Sequence, residues 1–198
     1  MVVLGMAAFG LLHKKTQESA SDRLFFTKSV RFGAVIALVG AVLTIGAGDV
    51  QTQFIINDQP LKFAATEGLY EDSSDPAAWS VVSLINENDK TAKGIDIPYM
   101  LSLLAYHKPS GSVQGMNTIN KELHQPFDGK FGANMNYYVP VNVLFWSFRF
   151  MAAVAFATAL VAALALWFTR KRKDTLYASR WKLWILGICT FIPFVGTT

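Results

Sequence analysis

Two pairs of residues in this chain have the types and positions that chemistry can use. Arg149 and Met151 lie inside a long apolar run, and Lys62 and Glu67 lie in a mixed stretch far upstream. A charge inside an apolar helix costs about 3 kcal/mol on insertion scales, so Arg149 is a functional candidate that needs a partner. The competing reading is a side chain that snorkels to the outer surface, which a position about nine residues into the run permits. Met151 by itself reads as core filler. A thioether is also able to bind haem iron axially, and such ligation raises the haem potential. Two helical positions turn the chain by about 200°, so Arg149 and Met151 address different sides of the helix or different parts of one cofactor.

Lys62 and Glu67 belong to the run Gln59 to Gly68, QPLKFAATEG. Five helical positions turn by about 140°, too far for a direct intrahelical ion pair, so each charge seeks its own partner. Ala64 and Ala65 form a small-residue patch able to lie against a membrane bundle or a flat ring ligand. The alternative is a surface amphipathic helix with solvated charges, which the residues alone favour. His13, His107 and His124 show no HxxxH or HExxH spacing. Cys189 is the one cysteine, which rules out a disulfide framework or a CxxC site within the chain. No GxSxG, Walker or GxGxxG motif points to a nucleophile or a nucleotide.

The elements that must position these residues follow from hydropathy. With 52% hydrophobic and only 16% charged residues, the composition is that of a membrane protein. The formal charge of +4 does not indicate nucleic-acid binding, because the basic residues flank apolar blocks and do not interleave with stacking aromatics. The blocks are Met1 to Leu12, Phe32 to Ala47, Val141 to Phe168, and Leu183 to about Val195. A crossing needs about 20 helical residues. The third block has that length, and the second reaches it when Lys28 and Arg31 snorkel. The first and fourth are shorter, and the simpler expectation is that both are cut inside membrane helices.

Basic residues set the orientation. Residues 13–31 and 169–182 are rich in Lys and Arg and are expected in the cytoplasm. Residues 48–140 carry 11 acidic residues against 6 lysines and no arginine, and are expected outside. The chain thus reads as an all-α integral membrane protein, a bundle of about four helices with a long extracytoplasmic loop. Its parts are 1–47 (two membrane helices, the first partial), 48–140 (the loop) and 141–198 (two membrane helices, the last partial). Within the loop, Gln59 to Tyr70 reads as a short helix capped by Asp58, with Pro60 in its first turn. Trp79 to Ile85 and Tyr99 to Ala105 read as apolar pieces able to dip into the interface, and Lys108 to Asn136 reads as mobile. No internal repeat is visible.

With those residues in view, the chain resembles the large subunit of cytochrome bd-type quinol oxidases over essentially its whole length. Gly48 and Asp49 (GD) stand at the expected end of a membrane helix, QPLKFAATEG follows, and FWSFRFM at Phe145 to Met151 opens the next long helix. The resemblance implies that the loop binds quinol, and that Lys62 and Glu67 match the family's lysine and glutamate of quinol oxidation. It further implies that Met151 matches the axial methionine of the low-spin haem b. Arg149 then matches the arginine that favours that haem's reduced form. The family passes electrons to a high-spin haem b and a haem d, where oxygen is reduced to water. The implied partners are subunit II, a small accessory subunit and ubiquinol or menaquinol in a bacterial plasma membrane. The other haem ligands have no counterpart here, so the resemblance implies an internal piece, inactive alone, of the short-loop type. The competing reading is a membrane-anchored extracytoplasmic binding or sensory protein without haem. A transporter subunit ranks last, for want of an inverted repeat or broken helices.

Overall fold

The computed structural model describes residues 1–13, 19–131, 136–170, 179–191 and 193. In chain order the elements are α1 (Val2–Leu12), α2 (Ala20–Asp58), α3 (Pro60–Glu67), β1 (Trp79–Asn86), β2 (Thr91–Ile97), α4 (Met100–Tyr106), α5 (Met116–Phe131), α6 (Val141–Phe168) and α7 (Arg180–Cys189). They divide into two units, one of Met1–Gly46 with Phe150–Thr198 and one of Ala47–Arg149.

The first unit is helical. Its core is built from Leu4, Ala8 and Leu11 of α1, Val30 and Ala34 of α2, Val161 and Ala165 of α6, and Leu183 and Leu186 of α7. Phe9 meets Trp184 edge to face, with ring centroids 5.9 Å apart. Among the described residues α2 and α6 are the helices long and apolar enough to cross a membrane. Only 28% and 17% of their apolar windows are buried, so neither is the core helix of a water-soluble domain. Phe32, Val39, Leu43, Phe156 and Leu160 stand exposed along them, as lipid-facing residues do. Of the basic residues expected in the cytoplasm, Lys14, Lys15, Lys171, Arg172 and Lys173 lie outside the described residues.

Several expectations are corrected here. Gly48 and Asp49 do not end a helix: α2 continues to Asp58, because no breaker precedes Pro60. Pro60 has no N–H to continue the ladder and disfavours helical backbone at Gln59, whose φ of −138° and ψ of 57° interrupt the chain. Asp58 is therefore the last residue of α2 rather than a cap. Gln59 occupies the N-cap of α3 without a side-chain cap bond, and Pro60 starts the helix.

The second unit is not all-α. Trp79 to Ile85, expected as an apolar interfacial piece, is strand β1, paired antiparallel with β2 from Trp79↔Ile97 to Asn86↔Thr91. The β-branched Val81, Val82 and Ile85, followed by a polar turn and by Ile95 and Ile97 two apart, are a hairpin signal. Asn86 shapes the turn, its Oδ1 accepting from the backbone N–H of Asn88 (3.0 Å) and Asp89 (3.3 Å). The register shifts between Ser80 and Val82, a bulge that leaves Val81 outside the ladder. Glu87 in the turn accepts from the Asn142 N–H at 2.7 Å, placing a carboxylate at the N-terminus of α6.

Residues 108–136, expected as mobile, contain α5. Met116, Ile119 and Leu123 recur at helical spacing within a polar run and pack on Ala64, Ala65, Tyr70 and Val141. Ala64 and Ala65 are thus covered by this unit's own side chains. The connection after α3 is strapped to the residues before α5: Gly115 N–H donates to Asp72 (2.7 Å), Ser73 N–H to Val113 C=O (2.9 Å), and Asn117 Nδ2 to Glu71 (2.6 Å). Gly115 is required at this crossing, since a Cβ there would overlap the backbone of Glu71.

Candidate functional site

The local sequence of α3 builds the first half of the site. Gly68 adopts φ 70°, a left-handed conformation that ends the helix. Its N–H donates to Ala65 C=O at 3.1 Å and the Leu69 N–H to Ala64 C=O at 2.9 Å, the paired bonds of a Schellman ending. This termination leaves Thr66 C=O and the Glu67 side chain facing inward. Thr66 keeps its own hydroxyl on Phe63 C=O (2.8 Å), so the hydroxyl does not compete for the site.

Arg149 supplies the second half. It does not snorkel: its guanidinium is buried within the second unit and every one of its three nitrogens donates there. Nη2 reaches Glu67 Oε2 at 3.0 Å and also Ser80 C=O. Nη1 donates to Thr66 C=O at 2.7 Å, and Nε is shared between Ser80 C=O (3.0 Å) and Val81 C=O (3.2 Å). The bulge in β1 leaves Val81 outside the ladder next to the paired Ser80, and it is there that Nε meets two consecutive carbonyls. The cation also lies 3.4 Å from the ring centroid of Phe145 and 5.6 Å from that of Trp79. A cation at the C-terminus of α3 satisfies an orphan carbonyl and the negative end of the helix dipole together.

Glu67 is 5% exposed. Burial pushes its carboxyl above the usual carboxylate range, and the nearby Arg149 charge and hydrogen bond, with the Trp79 side chain, offset only part of that effect. The result is a buried carboxylate with enhanced proton affinity held against a fixed cation. Such a group can accept a proton from a hydroxyl that is losing electrons.

The residues named from sequence separate accordingly. Glu67 and Arg149 come together, each serving as the partner the other needed. Lys62 is exposed on α3 and makes no hydrogen bond or ion pair among the described residues. Met151 belongs to the first unit and is 54% exposed. His107 Nε2 and Asp49 Oδ1 pair at 3.0 Å, both side chains exposed, and His124 pairs with Asp128 at 2.7 Å one helical turn away. Trp79, Phe145 and the carbonyls of Thr66, Ser80 and Val81 were not anticipated as site groups. Their only sequence signal was the aromatic four positions before Arg149, one helical turn away.

A separate polar cavity of about 390 Å³ in the same unit is lined by Tyr70, Glu87, Lys90, Tyr138 and Pro140. Lys90 Nζ lies 4.0 Å from the Tyr138 ring centroid. The Tyr70 hydroxyl is buried and has no hydrogen-bond partner among the described residues, and burial, with Glu87 and Tyr138 adding to it, raises its proton affinity.

Comparison with known proteins agrees with this architecture. Residues 1–198 match the family described as cytochrome bd terminal oxidase subunit I. Cytochrome bd ubiquinol oxidase subunit 1 of Bacillus subtilis (strain 168) is 36% identical over 197 residues, covering 99% of this chain and 39% of that protein. A putative cytochrome bd menaquinol oxidase subunit I of the same organism is 26% identical over 141 residues, covering 68% of this chain and 31% of that protein. The structure of bd oxidase from Geobacillus thermodenitrificans shares the fold with a TM-score of 0.72 at 24% identity, covering 99% of this chain and 40% of that one. The chain therefore spans about two fifths of the length of these first relatives. It belongs to the cytochrome bd terminal oxidase subunit I family, a family of bacterial membrane proteins.

Proposed function

We propose that this chain forms the quinol-oxidising portion of the large subunit of a cytochrome bd-type terminal quinol oxidase, with residues 48–140 on the outer face. The observation that carries the reading is the buried Glu67 carboxylate, held by Arg149 and shifted by its surroundings toward greater proton affinity. Oxidation of a quinol releases two electrons and two protons. Glu67 accepts one of those protons at its carboxylate, and a base whose pKa approaches the working pH does so most effectively. Lys62, exposed and uncommitted among the described residues, offers a cation to a quinol oxygen from another face of α3.

Met151 would hold a low-spin haem b through its thioether. Its side chain is exposed on an apolar helix and not consumed by core packing, which suits a soft ligand to an iron porphyrin. The haem, when bound, supplies one-electron acceptance. Arg149 contributes the fixed positive charge of the site. High-spin haem b and haem d, subunit II, a small accessory subunit, and ubiquinol or menaquinol complete the proposed enzyme. Residues 13–31 and 169–182 are assigned to the cytoplasm, and the boundaries 1–47, 48–140 and 141–198 to membrane, loop and membrane. The named relatives support this reading over a haem-free binding protein.

The test is a reduced-minus-oxidised visible spectrum of the complete complex carrying Met151→Ala or Glu67→Gln. Met151→Ala is expected to lose the low-spin haem b signal while the protein remains inserted. Glu67→Gln is expected to keep every haem signal with dithionite but to lose reduction by quinol. A normal low-spin signal in Met151→Ala, or undiminished quinol reduction in Glu67→Gln, overturns the corresponding assignment.

A further inference from the structure

We infer that Arg149 is a positioning residue for quinol oxidation: it fixes the Glu67 carboxylate and the end of α3 against β1, and acts on the quinol through them. This rests on the reading of Glu67 as the proton acceptor. The geometry is specific. One guanidinium joins three segments: the last turn of α3 through Thr66 C=O and Glu67, the bulge of β1 through Ser80 and Val81 C=O, and its own helix α6 through the Phe145 ring.

Each segment is shaped to receive it. Gly68 ends α3 at the position that turns Thr66 C=O and Glu67 toward the cation. The bulge leaves Val81 outside the ladder, and the carbonyls of Ser80 and Val81 both accept from the guanidinium there. The Phe145 ring closes the remaining face, its edge 3.2 Å from where a Cβ on Gly68 would stand. A planar fork of donors can satisfy all these acceptors at once, whereas a lysine ammonium cannot. Among the described residues Arg149, from α6, is the charged group facing Glu67. From β1, the Trp79 side chain is the other polar neighbour, and the Thr66 hydroxyl of α3 is turned away to Phe63. Two properties of Glu67 therefore depend on Arg149: where the carboxylate points and how tightly it holds a proton.

The experiment uses the complete oxidase complex in detergent and reads Glu67 directly. Infrared difference spectra recorded across pH follow its carboxyl stretch, assigned by the band's loss in Glu67→Gln. They are paired with steady-state quinol oxidation over the same pH range. In Arg149→Gln the midpoint of that band is expected to rise by about one to three pH units, since an opposite charge at this distance lowers a carboxyl pKa by about that much. The pH profile of kcat for quinol should move with it. Arg149→Lys should keep the midpoint within about one unit of wild type, because the charge remains, yet raise the quinol KM, because the fork is lost.

If Arg149→Gln does not assemble, Phe145→Leu serves instead. It removes the stacked ring while leaving every polar partner, and the carboxyl band is expected to broaden and shift in the same direction. An unmoved band and an unmoved pH profile, in Arg149→Gln or in Phe145→Leu, overturn the inference. Undiminished quinol oxidation in Glu67→Gln has a different meaning, since it overturns the assignment of Glu67 itself and leaves the Arg149 contact purely structural.

Discussion

Replacing Glu67 by Ala tests the buried pair most directly. At 3.0 Å two unit charges attract by about 5 kcal/mol for an effective dielectric constant of about 20. Desolvation of both ions takes back most of that, so the intact pair adds little net stability. Removal of one member is costly all the same, by about 3–5 kcal/mol, because the other charge stays buried without a counter-ion. Arg149 keeps its bonds to the carbonyls of Thr66, Ser80 and Val81 and its place on Phe145, so the lower end, about 3 kcal/mol, is expected. Glu67→Gln retains an acceptor for Nη2 and should cost about 1 kcal/mol. Amide hydrogen exchange across residues 63–69 and β1 in the intact complex reads the difference. About 2 kcal/mol corresponds to about 30-fold faster exchange in the Ala variant than in the Gln variant. In an Arg149→Met background the Ala and Gln variants should converge. Exchange rates for Glu67→Ala and Glu67→Gln within about threefold of each other, with Arg149 intact, would refute the argument.

Other outcomes follow from the same contacts. Gly68→Ala forces a Cβ into the left-handed conformation and against Phe145, so the second unit should lose about 1–2 kcal/mol; faster exchange at Ala65 and Leu69 checks it. Tyr70→Phe removes a buried hydroxyl that has no partner among the described residues, and the temperature of thermal unfolding of the complex should be unchanged or slightly raised. The raised pKa of Glu67 sets a sign for pH dependence. Because the folded state holds the proton more tightly than the unfolded state, Glu67's contribution is fully present below about 4.5, the ordinary value, and is lost as pH rises through the raised folded value. Stability compared between wild type and Glu67→Gln across that range should show the wild type declining relative to the variant as pH increases. Lys62→Ala should leave exchange across α3 unchanged, since Lys62 is exposed, while raising the quinol KM.

The amino-acid sequence by itself determined the membrane character, the two spans and the identity of the residues worth watching. Hydropathy blocks and isolated charges act over a few helical turns, and the medium rather than the rest of the chain decides their meaning. The short helix at Pro60 was legible for the same reason: proline and glycine punctuate it locally. Other local signals were present and outweighed. The β-branched run of β1 and the helical spacing of Met116, Ile119 and Leu123 were hidden by the polar composition of the outer segment, and GD suggested a helix end that no steric rule requires. What tertiary structure alone decided is the partnership of Glu67 and Arg149, which are 82 residues apart. On its own helix Glu67 has no suitable neighbour, and on its own helix Arg149 has only Phe145. Folding of the outer segment around a bulged strand supplies the carbonyls, the ring and the counter-charge at one point. That convergence turns a costly buried charge into a defined site, because only the folded unit can satisfy every donor of the guanidinium at once.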